Sequence, residues 1–494
     1  MTDLPVVLDR ESAAPIHRQL YDDLRDAILA RRLKPGTRLP SSRALAVQLG
    51  IGRNTALEAY AQLRTEGYLE PRVGSGTFVT AALPDHLLHA RAVARASRTK
   101  ARPARAPRLS TLARQISASP IVPEVSWRMA TPFYPGIPAY ELFPVDVWRR
   151  LANERWADHP GRDLLDYGDP AGLPVLREAI ANYLTSSRGL SCESDQVIIV
   201  GGSQQGLYLA SQLLLDPGDR AWCEDPGYRG ARVAFDAAGA EIVSVPVDRE
   251  GIDVAEGRRR SPGARLAYVT PSHQYPLGSV MSLARRLELL SWASSSGAWI
   301  IEDDYDSEFR YSGRPLPALQ GLDEEECVVY MGTFSKILFP SLRLGYLVVP
   351  RQLIEAFLAA RALVDRHRPS MDQAVLARFM ADGHFERHLR RTRAAYQHRR
   401  DVLGERLQRL LSDIVEIQAA SAGMHLLAWL PDGVSDNELS DELAKAGVSA
   451  PPLSYHSMQA IPRGALILGY TGFREPALKY RAKLMASIIR AALR

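Results

Sequence analysis

The sequence of 494 residues has few cysteines and no long apolar run. Its three cysteines, Cys192, Cys223 and Cys327, are scattered, without a Cys-x-x-Cys pair or neighbouring histidine pairs. This spacing indicates reduced thiols in a protein core and argues against a metal site. No apolar run reaches the roughly 18 residues that a membrane span needs, and the acidic N-terminus MTDLPVVLDRE is not typical of a signal peptide. We therefore expect a cytoplasmic chain that does not cross a membrane.

Acidic residues are missing from one segment of the chain. Residues 86–123 contain eight Lys or Arg and no Asp or Glu, whereas the net charge of the whole chain is only +5. The segment is rich in Ala, Arg, Pro and Ser, a composition typical of linkers. Its charge is equally consistent with contact to DNA phosphates and with simple solvation. From the length and these composition shifts we expect three parts: residues 12–80, a basic linker at 81–124, and a large unit at 125–494.

Residues 12–80 have the pattern of a small helical unit. Apolar residues recur every four positions from Ile16 to Ile28, which predicts an amphipathic helix. The stretch LPSSRALAVQLGIGRNTALEAYAQLRTEGYLEP predicts two helices around a Gly-containing turn, the first capped by Ser41 or Ser42. YLEPRVGSGTFV then predicts a β-hairpin. This order of elements is that of a winged helix–turn–helix. The residues expected to form the inner faces of the two paired helices are Leu45, Leu49, Leu57, Tyr60 and Leu63.

The charges of this unit favour DNA as its partner. Six basic residues and no acid lie between Ala27 and Leu57. A small helical bundle with a solvated basic face is the alternative, but the helix–turn–helix order favours DNA binding. Arginine suits guanine edges and asparagine suits adenine edges in the major groove. The residues that we expect to contact duplex DNA are Ser42, Arg43, Arg53, Asn54, Thr55, Gly74, Ser75 and Gly76.

From about residue 125 onward, short β-rich runs alternate with helical stretches. The predicted strands are nearly continuously apolar, which is typical of a mostly parallel sheet covered by helices on both faces. Residues 370–494 predict a smaller α/β lobe. We therefore expect an α/β fold for the large unit. The strand candidates are QVIIV, RAWCEDP, AEIVSVPV, RLAYVTPS, AWIIEDDY, CVVYMGTFSK and RLGYLVVP.

A lone lysine, Lys336, lies among small and apolar residues in MGTFSKILFPSLRLGY. Taken alone, it would be interpreted as a solvated surface residue. In a doubly wound sheet, however, ligands bind at the carboxyl ends of the strands. At one such end, AWIIEDDYDSEF places Asp303 and Tyr305 on one face of a strand, where a carboxylate and a phenol can pair with a pyridinium nitrogen and the adjacent ring oxygen.

Further motifs supply a phosphate cup and a stacking ring. QVIIVGGSQQGL is a strand, a Gly-rich turn and a helix start with Ser203, which suits a phosphate. Tyr228 in EDPGYRG follows another strand, and Ser335 and Arg343 flank Lys336. The sequence thus offers a phosphate-binding turn, a carboxylate, an aromatic ring and an amine. Together these are the groups that bind pyridoxal 5′-phosphate (PLP) as a Schiff base.

These motifs resemble a known family. Residues 125–494 resemble a fold-type I PLP aminotransferase, and residues 12–80 resemble a GntR-type winged helix–turn–helix. The combination resembles the MocR-type regulators of the GntR family, most clearly in the helix–turn–helix stretch, TPSHQYPLG, IEDDYDSEF and GTFSKILFPSLRLGY. The resemblance implies that Lys336 is the Schiff-base lysine, Asp303 the pyridinium partner and Tyr305 the ring-oxygen partner. It further implies that Tyr228 stacks on the ring, that Ser203, Gln204, Ser335 and Arg343 hold the phosphate, and that His273 and Gln274 contact the ring.

The sequence departs from the aminotransferase pattern at one position that bears on function. Aminotransferases of this fold carry an arginine on a late strand for the substrate carboxylate, whereas the matching stretch ALILGYTGF has none and is only flanked by Arg463 and Arg474. This favours a transcriptional regulator that senses a ligand through the Schiff base. The resemblance implies that this ligand is PLP itself or an amine such as GABA or taurine. The resemblance implies a homodimer, an operator with two half-sites, and control of vitamin B6 or amine metabolism. The alternatives are an active aminotransferase and an architectural DNA-binding protein with an inert α/β body.

Overall fold

The computed structural model describes residues 14–72, 75–81, 109–118, 133–157, 162–313, 317–418 and 421–493, together with Leu4, Val6, Leu8, Asp9, Arg10 and Ser12. The chain divides into two compact units, residues 1–108 and 109–494. Most of the predicted linker at 81–124 lies outside the described residues. Within it, Thr111–Ala118 forms helix α4, which packs against a helix of the large unit.

The N-terminal unit has the predicted order of elements. Its helices are α1 (Ile16–Leu29), α2 (Ser42–Leu49) and α3 (Arg53–Thr65). Its strands are β1 (Arg38–Leu39), β2 (Leu69–Arg72) and β3 (Gly76–Val79), in the order β1-β3-β2. The predicted helix, helix–turn–helix and hairpin are confirmed. Strand β1 was not predicted, because two residues carry no periodic signal.

Local signals in the sequence set the helix–turn–helix. The Ser41 hydroxyl accepts a hydrogen bond from the Ala44 amide at 3.2 Å, which confirms one of the two predicted caps of α2. Gly50 ends α2 with a φ of 62°, a left-handed conformation that glycine adopts without steric cost. The prediction for Leu57 is wrong, since its side chain is 42% exposed. Small Ala56 and Ala59 occupy the inner face of α3 instead, which lets the helices approach closely.

The large unit is built on an eight-stranded sheet in the order β4-β11-β10-β9-β8-β5-β6-β7. The pairs formed by β10, β9, β8, β5 and β6 are parallel, and β11 and the edge strand β7 are antiparallel to their neighbours. This confirms the predicted mostly parallel sheet. The strands are β4 (Val197–Val200), β5 (Arg220–Asp225), β6 (Glu241–Asp248), β7 (Gly251–Ile252), β8 (Leu266–Val269), β9 (Trp299–Asp304), β10 (Val328–Thr333) and β11 (Gly345–Val348).

Helices cover both faces of this sheet. On one face, Leu207, Phe235 and Phe357 pack on Ile301 and Met331. On the other face, helices α7 and α13 pack on the sheet through a second cluster of buried residues. Both faces of the central strands are therefore buried, as their apolar sequences predict. The helices of this part are α5 (Val145–Ala157), α6 (Arg162–Leu165), α7 (Pro174–Arg188), α8 (Ser203–Leu214), α9 (Arg229–Ala237), α10 (Val254–Arg260), α11 (Leu283–Ser296), α12 (Ile354–Asp365) and α13 (Ser370–Ala381).

A smaller lobe follows, as predicted, but it begins later than residue 370, because α13 packs with the large sheet. An antiparallel sheet of β12 (Glu416–Gln418), β13 (His425–Trp429) and β14 (Ala465–Gly469) forms its centre. Helices α14 (His384–Leu411), α15 (Asp436–Lys445) and α16 (Glu475–Ala492) pack around it. Phe133 is fully buried in this lobe, and its carbonyl accepts a hydrogen bond from Gly469. This contact holds residues 134–136 beside the end of the large sheet.

A buried ion pair lies beneath strand β9. Arg188, at the end of α7, donates to the Asp304 carboxylate at 2.9 Å and to the Ser272 hydroxyl at 2.7 Å. The Tyr330 hydroxyl donates to the same carboxylate at 2.7 Å. Both charged side chains are almost fully buried, so each depends on the other for compensation.

We expect Arg188→Ala to lower the free energy of unfolding by about 3–5 kcal/mol, because Asp304 would stay buried without its cation. The matched control is Arg220→Ala, which breaks an exposed pair with Glu241 and is expected to cost at most about 1 kcal/mol. Urea unfolding of both variants would measure the difference. Equal losses in the two variants would contradict this role for Arg188.

Candidate functional site

A cavity of about 410 Å³ lies at the carboxyl ends of β8, β9 and β10. Its wall also includes residues 134–136 and, from the small lobe, residues near 425 and 455. It is therefore formed where the two lobes meet, at the position that a doubly wound sheet predicts. The structure brings eight of the ten predicted cofactor residues to this wall: Ser203, Gln204, Tyr228, Asp303, Tyr305, Ser335, Lys336 and Arg343.

Lys336 follows β10 and reaches into the cavity. Its ammonium donates a hydrogen bond to the Gly136 carbonyl at 3.1 Å. Gly136 has a φ of 72°, a left-handed conformation that favours glycine, and a Cβ there would lie 2.7 Å from the Lys336 Nζ and displace the lysine side chain. Burial lowers the pKa of the Lys336 amine, and the charges of Asp306 and Asp303 oppose that shift. A lysine with a lowered pKa is more often neutral, which is the form that attacks a carbonyl carbon.

Asp303 presents an unsatisfied oxygen at the same cavity. Its Oδ2 accepts a hydrogen bond from the Tyr268 hydroxyl at 2.7 Å. Its Oδ1 is buried and has no hydrogen-bond partner in the described part of the chain. Burial raises the pKa of Asp303 to about 7. A buried carboxylate oxygen without a donor is costly, so this position suits a ligand that brings an N–H.

The neighbouring acids of β9 have structural roles on the opposite face. Both oxygens of Glu302 accept backbone amides, those of Leu319 and Gln320, at 2.9 Å each. Asp304 pairs with Arg188. The predicted alternation, which places Asp303 toward the ligand site and its neighbours away from it, is therefore confirmed.

The turn after β4 has the features of an anion site. Gly202 caps α8 with a φ of 100°, and no side chain caps the helix, so the first amides of α8 are available to an anion. A Cβ at Gly202 would lie 3.5 Å from the Arg343 guanidinium, which places that cation over the turn. Arg343 itself has a φ of 50°, a strained backbone conformation for a residue other than glycine. Such strain is typical of a side chain held for function.

Gln204 supports the aromatic wall. Its amide nitrogen donates to the Gly230 carbonyl at 3.0 Å, and its oxygen lies 3.4 Å from the Tyr228 hydroxyl. The Tyr228 ring is thereby fixed at the cavity wall, where it can stack on a flat ligand.

The structure does not bring His273 and Gln274 to the cavity wall, which corrects the expectation that they contact the cofactor ring. His273 lies behind Tyr305, with its Nδ1 at 3.0 Å from the Tyr305 hydroxyl and from Asp306. The Gln274 amide donates to the Pro226 carbonyl at 2.9 Å and to Glu224. Both side chains are buried and position their neighbours, because the turn after β8 points them away from the opening.

Several wall residues were not predicted. Tyr268 could have been found, since strand alternation in RLAYVTPS places it on the same face as the ligand site. Gly136 and Arg229 carry no comparable signal, because one lies on a connecting segment and the other resembles any helix-start arginine. The remaining unpredicted residues of the wall are Tyr134, Pro135, Gly230, Thr270, Tyr275, Thr333, Met424, His425, Pro451, Tyr455 and His456.

The two histidines of the wall are uncharged. His425 donates its Nε2 hydrogen to the Pro276 carbonyl at 2.9 Å, which fixes its tautomer. Burial lowers the pKa of His425 to about 3 and that of His456 to about 3. Neither imidazole therefore contributes a positive charge to the cavity near neutral pH.

The late strand β14 contributes no arginine to the cavity. Arg463 donates to the Leu430 carbonyl at 2.6 Å and pairs with Glu416 at 2.7 Å. Arg474 is exposed at the start of α16. The absence of a carboxylate-binding arginine from this strand, expected from the sequence, is therefore also found in the structure.

The predicted DNA residues lie together on the N-terminal unit. Arg43, Arg53 and Asn54 are exposed in the first turns of α2 and α3, and Ser42 and Thr55 are partly exposed beside them. Ser75 and Gly76 are exposed on the hairpin, whereas Gly74 lies outside the described residues. A groove of about 1040 Å³ runs between α2, α3 and the hairpin, and its wall includes the cations Arg38, Arg43 and Arg64.

Two classes of feature are not found in the described part of the chain. No group of three or more His, Cys, Asp or Glu side chains there could hold a metal ion. No helix within the described ranges is both long and apolar enough to span a membrane.

Two family models match the chain. "Bacterial regulatory proteins, gntR family" matches residues 16–79, and "Aminotransferase class I and II" matches residues 136–464. Class I and II aminotransferases are proteins that bind PLP, and GntR regulators bind DNA. The two matches correspond to the two units described above.

The chain is similar to regulators over nearly its whole length. It is 43% identical to the probable rhizopine catabolism regulatory protein MocR of Rhizobium meliloti, over 94% of this chain and 92% of that protein. It is 31% identical to the pyridoxine biosynthesis regulator PdxR of Corynebacterium glutamicum, over 97% of each. The kynurenine aminotransferase of Pyrococcus horikoshii superposes with a TM-score of 0.69 and 28% identity, over 82% of this chain and 100% of that one. The chain therefore belongs to the MocR-type transcriptional regulators of the GntR family, which join a DNA-binding helix–turn–helix to an aminotransferase-like domain.

Proposed function

We propose that this regulator binds PLP covalently through Lys336. Its affinity for operator DNA changes when the ligand in the cavity around Lys336 changes. One observation carries the proposal: the Lys336 amine and the unsatisfied Asp303 oxygen lie on the wall of one cavity, together with the anion-binding turn at Gly202. The amine, the acceptor and the anion site match the aldehyde, the ring nitrogen and the phosphate of the cofactor.

The residues present fit this cofactor. PLP supplies an aldehyde that bonds covalently to primary amines. Asp303, held by Tyr268, would accept the ring N–H, and Tyr305 would donate to the ring oxygen. Tyr228 would cover one face of the ring, while Arg343 and the first turn of α8 would hold the phosphate.

The arrangement supports sensing better than turnover. Without an arginine on β14, an α-amino acid has no partner there for its α-carboxylate, and that carboxylate normally orients the bond to be broken. Binding of a ligand amine needs only Lys336 and the cavity wall. No feature of the described residues favours the active aminotransferase as the primary role.

The remaining expectations are part of the same proposal. We propose a DNA-binding domain at 12–80, a linker at 81–124 and an effector domain at 125–494, supported by the bounds of the two family matches, 16–79 and 136–464. We also propose a homodimer that binds two half-sites. Each subunit of a closed dimer carries one helix–turn–helix domain, and each such domain can bind one half-site. The names of the relatives refer to rhizopine catabolism and to pyridoxine biosynthesis. The effector is accordingly either an amine or PLP itself.

We expect Lys336→Ala to abolish covalent attachment of PLP, because no other amine lines the cavity in the described residues. The measurement is borohydride reduction of the PLP-treated protein, followed by peptide mass analysis. Lys445→Ala is the matched control, since Lys445 is exposed at the end of α15 and should not affect labelling. Reducible, covalently bound PLP in Lys336→Ala would disprove the assignment.

We expect Arg53→Ala and Asn54→Ala to weaken DNA binding by about 1–3 kcal/mol at the base pair that each residue reads. Titration against operator fragments that carry single base changes would show whether discrimination is lost at that pair only. Arg18→Ala removes an exposed cation from α1 of the same unit and serves as the control. If both α3 variants kept wild-type affinity and specificity, α3 would not be the reading helix.

A further inference from the structure

We propose that Asp306 and His273 form a positioning pair that points the hydroxyl hydrogen of Tyr305 into the cavity. Tyr305 lines the cavity, whereas His273 and Asp306 lie behind it, so both act through Tyr305 and do not touch the ligand. The inference rests on the proposed function and deepens it, because it names two residues that regulate the titration of PLP bound to Lys336.

The three side chains meet at one nitrogen atom. The His273 Nδ1 lies 3.0 Å from the Asp306 Oδ2 and 3.0 Å from the Tyr305 hydroxyl. The side chains of His273 and Asp306 are only 2% and 1% exposed. A single ring nitrogen cannot donate a hydrogen to the carboxylate and accept one from the phenol at the same time. The position of the imidazole hydrogen therefore decides the direction of the hydroxyl hydrogen.

The carboxylate is the stronger acceptor of the two oxygens that face Nδ1. A hydrogen bond to an ionised oxygen is stronger than one to a neutral oxygen, so Asp306 favours the tautomer of His273 that carries its hydrogen on Nδ1. Burial raises the pKa of Asp306, and His273 opposes that shift. Because Nδ1 already carries a hydrogen, the Tyr305 hydroxyl cannot donate to it. The hydroxyl hydrogen then points to the cavity, where a ligand oxygen can accept it.

The small lobe holds the imidazole in place. Gly423 packs against the His273 ring, and a Cβ at this glycine would overlap the ring. The Gly423 amide donates to the Phe309 carbonyl at 2.8 Å, and the Phe309 amide donates to the Asp306 carbonyl at 2.9 Å. One short chain of contacts therefore fixes the ring and the carboxylate relative to each other. A fixed pair of this kind can hold one hydrogen direction.

The titratable groups around this pair are mostly acids and phenols. They are Glu224, Asp303, Asp304, Tyr275, Tyr311, Lys336, His425 and Tyr470. Burial lowers the pKa of His425 to about 3, so this imidazole is neutral near pH 7. Burial also lowers the pKa of the Lys336 amine, and the charge of Asp306 opposes that shift. Asp306 thus acts on Lys336 directly as well as through Tyr305, and the two effects have to be separated.

The direction of the Tyr305 hydrogen affects how bound PLP titrates. When PLP is bound to an amine, its ring oxygen and the linking nitrogen share one proton. A hydrogen bond donated to the ring oxygen stabilises the negative charge there, so the nitrogen loses its proton at a lower pH. Loss of the bond should raise that pH by about 1–2 units, the shift expected for one hydrogen bond to a charged oxygen.

The test measures the absorbance of the full chain, loaded with PLP, as a function of pH. Asp306→Leu removes the acceptor, so that Tyr305 turns its hydrogen to the His273 Nδ1. The same substitution in Tyr305→Phe protein measures only the direct effect of the Asp306 charge. We expect Asp306→Leu to move the midpoint upward by about 1–2 pH units more when Tyr305 is present than when it is absent. Asp306→Asn keeps an acceptor oxygen without the charge and should give a smaller difference.

A second readout uses the chain without PLP. ¹⁵N NMR of histidine-labelled protein, assigned with His273→Phe, reports which ring nitrogen carries the hydrogen. We expect Nδ1 in the wild type and Nε2 in Asp306→Leu, and the wild-type result stands even if Asp306→Leu does not fold. Asp436→Asn is the matched control, because it changes a buried carboxylate of the small lobe that does not line the cavity and should alter neither readout.

The inference is overturned if Asp306→Leu shifts the midpoint equally with and without Tyr305, or if His273 of the wild type carries its hydrogen on Nε2 alone. Either result would leave borohydride labelling of Lys336 unaffected. Loss of that labelling in the wild type would instead contradict the proposed function, so the two failures are distinguishable.

Discussion

The structure depends on placing an amine and a carboxylate, both groups that prefer water, in one largely buried cavity. Strand β9 brings Asp303 to the cavity, and the turn after β10 brings Lys336. Burial shifts both groups toward their neutral forms, raising the pKa of Asp303 to about 7 and lowering that of Lys336. A folded protein keeps such groups only when neighbours compensate them, and here the Asp303 Oδ1 lacks a partner among the described residues. A ligand that brings an N–H would compensate this oxygen, as the proposed cofactor would.

The rest of the fold supports this placement. The buried parallel sheet holds the strand ends in register. The buried pair of Arg188 and Asp304 lies on the face of β9 opposite Asp303. The small lobe closes the cavity from the other side and contributes neutral aromatic groups such as His425. The site therefore combines ionisable groups from the large sheet and the turns after its strands with aromatic groups from the small lobe.

Much of the fold and of the cavity wall was predictable from the sequence, and the exceptions have physical reasons. Asp303, Tyr305 and Lys336 follow apolar strands directly, so strand alternation and sheet topology place them. His273 and Gln274 were misassigned, because a turn sets their direction and no periodic pattern describes a turn. Leu57 was expected in the core, although the small residues Ala56 and Ala59 form the close helix contact. Gly136 was missed, since its contact with Lys336 joins segments that are distant in sequence.

The central claim is that chemistry at Lys336 is coupled to DNA binding by a unit that is separate in the chain. Coupling requires that the ligand interacts differently with at least two states of the protein, because an indifferent ligand shifts neither. The most direct measurement is the affinity of the full chain for its operator at fixed salt, without PLP, with PLP, and with PLP plus the amine that binds most tightly. We expect at least two of these forms to differ by about 5- to 150-fold in DNA affinity. Equal affinity in all three forms would contradict it.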